Sequence, residues 1–285
     1  MYATNFEYDG KQLSDYGMMI CRFDSPGLET LSSEADLTFT TTKSVGSDKV
    51  KIYNSKYDEI YTAVFQICRL PGSTRPEICL APNEISALQR WLCRKDGYHP
   101  FKLLQEDFRD IYWNAVFSCK QIELKGETVG LELTMYTDSP YACLAAEDIT
   151  YSLTPGDSFT LFDLSDETGF QYPAVTIVCG SSSDSGSPGQ GKIVLQNSMD
   201  TRRKTILTNL QNNEIITLDG ENKLISSNLS RTDLANSFNY CFPRIFNRIE
   251  NGTDMRENVF TLLDTENAIP CHITFHYAPI IKIGL

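Results

Sequence analysis

The sequence has little of the side-chain chemistry that catalytic sites usually draw on. Histidine occurs only three times in 285 residues, at positions 99, 272 and 276, which leaves few general bases near neutral pH and few metal ligands. There is no Gly-x-Ser-x-Gly nucleophile elbow and no Cys-x-x-Cys pair. No run of about 18 apolar residues exists, so no helical segment reads as membrane-spanning. Residues 1–10 are polar and acidic rather than a signal peptide. The chain is therefore expected to stay in the cytoplasm where it is made unless a larger assembly carries it out. Basic residues are also short: 25 Lys and Arg stand against 37 Asp and Glu, a net charge of -12. Cut after Ala145, the two parts carry net -5 and net -7. Phosphate binding needs clustered Lys and Arg, so sequence-specific nucleic-acid recognition is excluded.

Apolar patterning is what the chain does have. Hydrophobic residues make up 41% and aromatics 11%, enough for real cores, and the length favours two domains. The organising stretch is 131–144. Val129, Leu131, Leu133 and Met135 alternate with polar neighbours, the period of a half-buried strand. Asp138, Ser139 and Pro140 stop it, because proline has no N–H for a ladder and biases Ser139 to extended backbone. We place a domain boundary here, giving 1–145 and 146–285. The nine cysteines, an odd number, sit inside apolar patterns. They read as buried thiols in a reducing compartment rather than as a disulfide framework.

In the first domain, Phe6 and Tyr8, an Asp9-Gly10 turn and an extended piece over 13–22 read as an opening hairpin. Ser25, Pro26 and Gly27 form a loop. Leu37, Phe39 and Thr41 alternate, residues 50–53 form another strand, and 64–68 is read as strand. One helix stands out. Asn83 caps it, Glu84 suits its first turn, and Arg90, Arg94 and Lys95 suit its last. Ile85, Leu88, Trp91 and Leu92 form its apolar face, and Gly97 ends it. Trp91 reads as a core anchor rather than a ligand platform. Trp113, Ala115 and Phe117, then Ile122 and Leu124, lead through a Gly126 turn back to Val129. In the second domain, short strands over 150–162, 174–179, 193–195, 205–207, 215–218, 223–226, 238–246, 259–263 and 272–277, with no second clear helix, predict a β-sandwich. Residues 180–191 form a Gly/Ser-rich flexible loop.

Several patterns invite chemistry and then fail on context. Residues 186–192 fit Gly-x-x-x-x-Gly-Lys, but Ile193 stands where a magnesium-binding hydroxyl belongs, and a strand follows where a helix must begin. His272 and His276 share one face of a strand whose other face is apolar, and no third or fourth metal ligand is nominated. No metal, cofactor or catalytic residue is therefore assigned. Glu106 with Asp107, residues 163–167 and residues 254–257 are acidic clusters beside turns, read as solvated loop charge. Phe170, Tyr172, Tyr240, Phe242 and Tyr277 could build a sugar platform, but most fall in strand patterns and read as core.

The order of motifs resembles the distal tail proteins of phages with long non-contractile tails. Phe6, Tyr8 and Gly10 followed by Tyr16, Gly17, Met18 and Ile20 resemble the opening of that family. The capped helix with Trp91 and Leu92 resembles the helix of its first domain, and Ser139, Pro140, Tyr141 and Ala142 resemble that domain's close. Residues 215–219, then Phe242, Pro243, Arg244 and Ile245, and finally 273–277, resemble its second domain. The resemblance is spread over the whole chain; the order and spacing carry it. It implies a mainly β protein without enzymatic activity: a ring-forming first domain with one α-helix, and a galectin-like or carbohydrate-module-like sandwich projecting outward. It implies a virion location, at a homohexameric ring where the tail tube meets the tip or baseplate. The implied partners are the tube protein, the tape-measure protein and tail-associated or receptor-binding proteins, with DNA passing through the ring; the chain's own acidity adds the expectation that acidic residues line the hole, so that DNA slides without sticking. The Gly/Ser loop at 180–191 departs from a minimal sandwich. Two rival expectations stand beside this one: a carbohydrate-binding adhesion protein, with weak sugar binding by the second domain, and a two-carboxylate glycoside hydrolase.

Overall fold

The computed structural model describes residues 3–23, 35, 37–57, 60–72, 78–180 and 191–284. It divides into two compact units, one of Met1–Ala145 with Ile281–Leu285 and the other of Ala146–Ile280. Each has its own hydrophobic core.

The first unit contains β1 (Phe6–Tyr8), β2 (Lys11–Gln12), β3 (Met18–Cys21), β4 (Leu37–Lys43), β5 (Val50–Tyr57), β6 (Thr62–Arg69), the helix α1 (Pro82–Leu92), β7 (His99–Leu103), β8 (Ile111–Leu124), β9 (Glu127–Thr137) and β10 (Ala142–Leu144). Seven strands form an antiparallel sheet in the order β2-β1-β7-β8-β9-β6-β3, with β10 added on β8. The expected alternations set its buried face: Trp113, Ala115 and Phe117 from β8, and Leu131, Leu133 and Met135 from β9. Lys125 (φ 53) and Gly126 (φ 85) make the two-residue turn between those strands, the left-handed geometry that matches strand twist. Helix α1 lays Ile85, Leu88, Trp91 and Leu92 into the same core, each worth about 2 kcal/mol by burial. At the end of the chain, Ile281 and Ile283 return to pack on this core.

Three expectations for this unit need correction. The piece at 13–22 is not one extended arm. Leu13–Tyr16 is a 3-10 helix closed by Gly17 (φ 68), and β3 pairs with β6, while β1 takes β2 and β7. Leu13 and Met18 are both buried, so the chain turns inward between them. Helix α1 is capped by Ala81, not Asn83; the Glu84 carboxylate accepts from the Ala81 N–H at 2.8 Å. Pro82 occupies the first helical position, where a missing N–H costs nothing. The helix ends at Leu92 with Cys93 as its C-cap, so Arg94, Lys95 and Gly97 lie beyond it. Arg94 pairs instead with Asp9 and Asp96.

Gly130 shows how closely β9 is packed. A Cβ there would stand 2.5 Å from the Ile67 carbonyl oxygen and 2.6 Å from the Phe23 ring. The ring can swing aside but the carbonyl belongs to the ladder with β6. Gly130→Ala is expected to cost about 3 kcal/mol as overpacking, read from the shift in the urea midpoint of tryptophan fluorescence.

The second unit contains β11 (Glu147–Leu153), β12 (Ser158–Phe162), β13 (Gly169–Gln171), β14 (Ala174–Cys179), β15 (Gly191–Asn197), β16 (Thr205–Leu210), β17 (Ile215–Asp219), β18 (Leu224–Ser227), β19 (Ile245–Glu250), β20 (Thr253–Met255), β21 (Glu257–Leu262) and β22 (Cys271–Tyr277). A five-stranded sheet, β11-β22-β14-β17-β18, and a four-stranded sheet, β12-β21-β15-β16, share one core. That is a sandwich, and a small third sheet, β13-β19-β20, accompanies it. Period-two alternation explains the buried sets Val175, Ile177 and Cys179 and Cys271, Ile273, Phe275 and Tyr277. The expected strand at 238–246 is absent. Tyr240 takes φ 56, a left-handed conformation outside the extended region, and the strand begins only at Ile245, after Pro243. Neither fold unit closes into a barrel among the described residues. Residues 181–190, which hold most of the Gly/Ser-rich loop and of the Gly-x-x-x-x-Gly-Lys skeleton, and Ser25, Pro26 and Gly27 lie outside the described residues.

Candidate interaction surfaces

The most unusual surface is the β4–β5 hairpin. Its strands pair along their length, from Leu37 opposite Tyr57 to Lys43 opposite Val50. Yet every residue from Leu37 to Lys43 and from Val50 to Lys56 is exposed. An alternating strand normally hides one face; here both faces meet solvent. Phe39 is 51% exposed, Ile52 64% and Tyr53 82%. A two-stranded ribbon alone is marginally stable in water.

A second feature of the first unit is a surface cleft of about 520 Å³ between the start of α1 and the β8–β9 turn, lined by Pro82, Ile85, Gln89, Gln121 and Glu127. Arg69 braces Cys79, one of the residues that line it. That guanidinium donates to both Glu84 oxygens, at 3.2 and 2.7 Å, and to the Cys79 carbonyl. One carboxylate thus caps the helix and anchors β6 to it.

The histidines occur in both units, each with hydrogen-bond partners. His99 sits between Asp96 at 3.1 Å and Asp9 at 3.4 Å, edge-on to Tyr8. In the second unit, His272 and His276 share the outer face of the five-stranded sheet. His272 Nδ1 meets Ser152 Oγ at 2.7 Å. His276 Nδ1 meets Asp148 at 2.6 Å, and its Nε2 meets Thr176 Oγ1 at 3.0 Å. Asp148, His276 and Thr176 thus form the hydrogen-bond chain of an acid, base and hydroxyl triad. It lies on an open sheet, with Asp148 68% exposed. The β14 backbone that would have to stabilise an oxyanion is already paired with β17 and β22. Beside it, Thr150, Thr274, Thr176, Thr217 and Ser226 stand in register across all five strands. The arrangement orders a polar outer face.

Two of the acidic clusters meet: the Asp163 N–H donates to the Arg256 carbonyl at 3.0 Å, and the Arg256 guanidinium donates to the Asp163 and Ser165 carbonyls at 3.3 and 2.8 Å. Glu106 and Asp107 lie in a short exposed 3-10 turn. Asp254 accepts from Arg256 Nε at 2.8 Å. Asp163 corrects the reading of solvated loop charge: it is 2% exposed and accepts from the Ser165 N–H and the Tyr277 hydroxyl. Burial, with that carboxylate beside it, pushes the Tyr277 hydroxyl well above the usual phenol range. Among the aromatics, Phe242 and Tyr277 are core, but Phe170 and Tyr240 are each 51% exposed and Tyr172 is half-buried. Phe170 and Tyr172 touch edge to face at 5.5 Å, with Arg244 over Phe170 at 4.4 Å and Lys223 over Tyr172 at 3.1 Å.

Sequence reasoning passed over one buried ion pair. Glu214 is fully buried, and Arg231 reaches both its oxygens at 3.1 Å while also holding Asp233 and Ser237. Of its partners, only the neighbouring Asp233 was legible as an Arg-x-Asp spacing. The cysteines were expected to be buried, but only Cys179 and Cys271 are; the other seven are half-buried. No cluster of three or more His, Cys, Asp or Glu suited to a metal occurs among the described residues. No described helix is long and apolar enough to cross a membrane.

Two family models match the chain. Residues 1–139 match a phage tail protein N-terminal domain, and residues 141–277 a phage tail C-terminal domain. No curated protein matches it. Among solved structures, the fold is similar to that of SPP1 Dit, described as a paradigm of the hub adsorption apparatus in phages infecting Gram-positive bacteria. The TM-score is 0.63 at 12% identity, covering 96% of this chain and 98% of that one. The phage P2 baseplate in its activated conformation with calcium gives a TM-score of 0.46 at 9% identity, over 96% and 98% of the two chains.

Proposed function

We propose that this chain, which belongs to the phage tail proteins through both of its domains, is the subunit of a homohexameric ring joining the tail tube to the tail tip. The observation that carries this reading is the β4–β5 hairpin, exposed on both faces. Such a ribbon gains stability only when a neighbour covers it. A head-to-tail contact repeated until it returns on itself gives every copy that cover and leaves no open end. Each contact needs roughly 1,200 Å² of buried surface to hold specifically. A net charge of -12 suits a conduit: acidic walls let DNA slide past without sticking. The tube and tape-measure proteins meet the ring along its axis, and the second unit serves as the docking platform for tail-associated and receptor-binding proteins.

A second reading rests on Phe170, Tyr172 and Tyr240, which reach solvent on the second unit, although Arg244 and Lys223 already cover one face of Phe170 and of Tyr172. Specific signals for the full chain on a glycan array, lost in Phe170→Ala, would add carbohydrate adhesion to the role.

The hairpin carries the test. Phe39→Asp with Ile52→Asp places two charges where a neighbour must pack, and neither residue touches the core. Light scattering is expected to fall from the mass of six copies to 32.1 kDa for the double variant. Its tryptophan fluorescence should stay that of the wild type. A double variant that still assembles would remove the hairpin from the interface.

A further inference from the structure

Six of the nine cysteines fall into pairs that no tail role explains. Cys179 and Cys271 stand opposite each other on β14 and β22. Cys21 on β3 shares a hydrogen bond with Cys68 on β6. The Cys93 and Cys119 sulfurs lie 2.9 Å apart, where the end of α1 meets β8. The first pair is sealed: both thiols are buried, 1% and 3% exposed, and burial pushes each up to about 12. Cys21 is likewise pushed up by burial and by Cys68. The third pair differs. Both residues are half-buried, and the hydrogen bond from the Cys119 thiol holds Cys93 down to about 7. The same contact raises Cys119. Cys93 is thus the readier thiolate of the two, and its neighbour, 2.9 Å away, is within reach to resolve what it forms.

We propose that Cys93 and Cys119 are a dithiol that oxidises to an intramolecular disulfide when the virion component leaves its reducing host cell. The oxidant is a small-molecule disulfide. The Cys93 thiolate attacks one of its sulfurs, forming a mixed disulfide and expelling one small thiolate, which takes a proton. Cys119 gives up its proton to solvent and attacks the Cys93 sulfur, expelling the second small thiol. Two electrons pass from the protein sulfurs to the small disulfide, and the protein disulfide forms. The bond staples the C-terminal end of α1 to β8 after folding is complete. Folding thus proceeds with mobile thiols, and the finished tail gains a covalent tie.

The test uses the full chain, purified under reductant, then exposed to oxidised glutathione at pH 7.5, alkylated and mapped by mass spectrometry. The expected product is about 2 Da lighter, with a linked peptide joining Cys93 to Cys119, formed at least about tenfold faster than any link between Cys179 and Cys271. Reductant should reverse it. In Cys119→Ser, a stable glutathione adduct on Cys93 is expected instead. The proposal is overturned if Cys93 and Cys119 both stay alkylatable in the wild type. It is equally overturned if another pair links first, or if wild-type Cys93 holds glutathione while Cys119 remains a thiol. The wild-type mapping decides the matter even where the variant does not fold.

Discussion

Trp91→Ala is expected to destabilise the first unit by about 3–5 kcal/mol, the cost of emptying a large aromatic site. Trp91 is 4% exposed, stacks on Tyr16 at 4.5 Å and on Phe6 at 5.8 Å, and donates its indole N–H to the Tyr8 carbonyl at 3.1 Å. The substitution removes the ring that ties α1 to β1 and the 3-10 turn, and it leaves a buried carbonyl without its donor. Trp113, also in this unit, remains as the fluorescent reporter. Urea titration of its emission should show a lower midpoint. A shift worth less than about 1 kcal/mol would mean the site collapses around the loss.

The second large effect lies in the other unit. Arg231→Ala leaves the Glu214 carboxylate buried with only the Gln211 N–H and the Ser227 hydroxyl. Breaking a buried pair from one side costs about 3–5 kcal/mol, because a charge is stranded away from water. Arg231 also holds Asp233 and Ser237, so the loop around them should loosen. Both tryptophans belong to the first unit, so the loss is expected in the circular-dichroism transition, with the tryptophan transition unmoved. The paired variant Glu214→Gln with Arg231→Met, which removes both charges, should recover most of the stability. If Arg231→Ala alone is neutral, the pair is not what holds this loop.

Much of the fold was legible because burial on one face writes a period of two into the sequence. The alternations around Trp113, Leu131, Ile177 and Ile273 became strands, and the four apolar residues of α1 became its buried stripe. Element ends were less legible, because they depend on partners distant in sequence. Glu84 closes the start of α1 while gripping Arg69, and Asn83, a good cap by type, sits one residue inside. Partner choice was hidden as well: nothing in 18–21 says that β6 rather than β1 lies beside it. Tyr240 broke a strand through its backbone angle, which an aromatic in an apolar run does not announce.

The candidate surfaces were hardest to read. Leu37, Phe39 and Thr41 alternate like any half-buried strand, yet both faces of their hairpin are open. An interface residue and a core residue obey the same pattern, and only the fold reveals which lacks its cover. Glu214 and Arg231 stand 17 positions apart, a spacing with no local signature.

The central claim is that the exposed hairpin closes copies of this chain into a ring. The most direct test is the solution mass of the purified wild-type chain, with negative-stain images from the same peak. The account predicts six copies of 32.1 kDa, about 190 kDa in all, and six-fold particles with a central hole. A single 32.1 kDa species at every concentration, or an open filament with no closed particle, would contradict it.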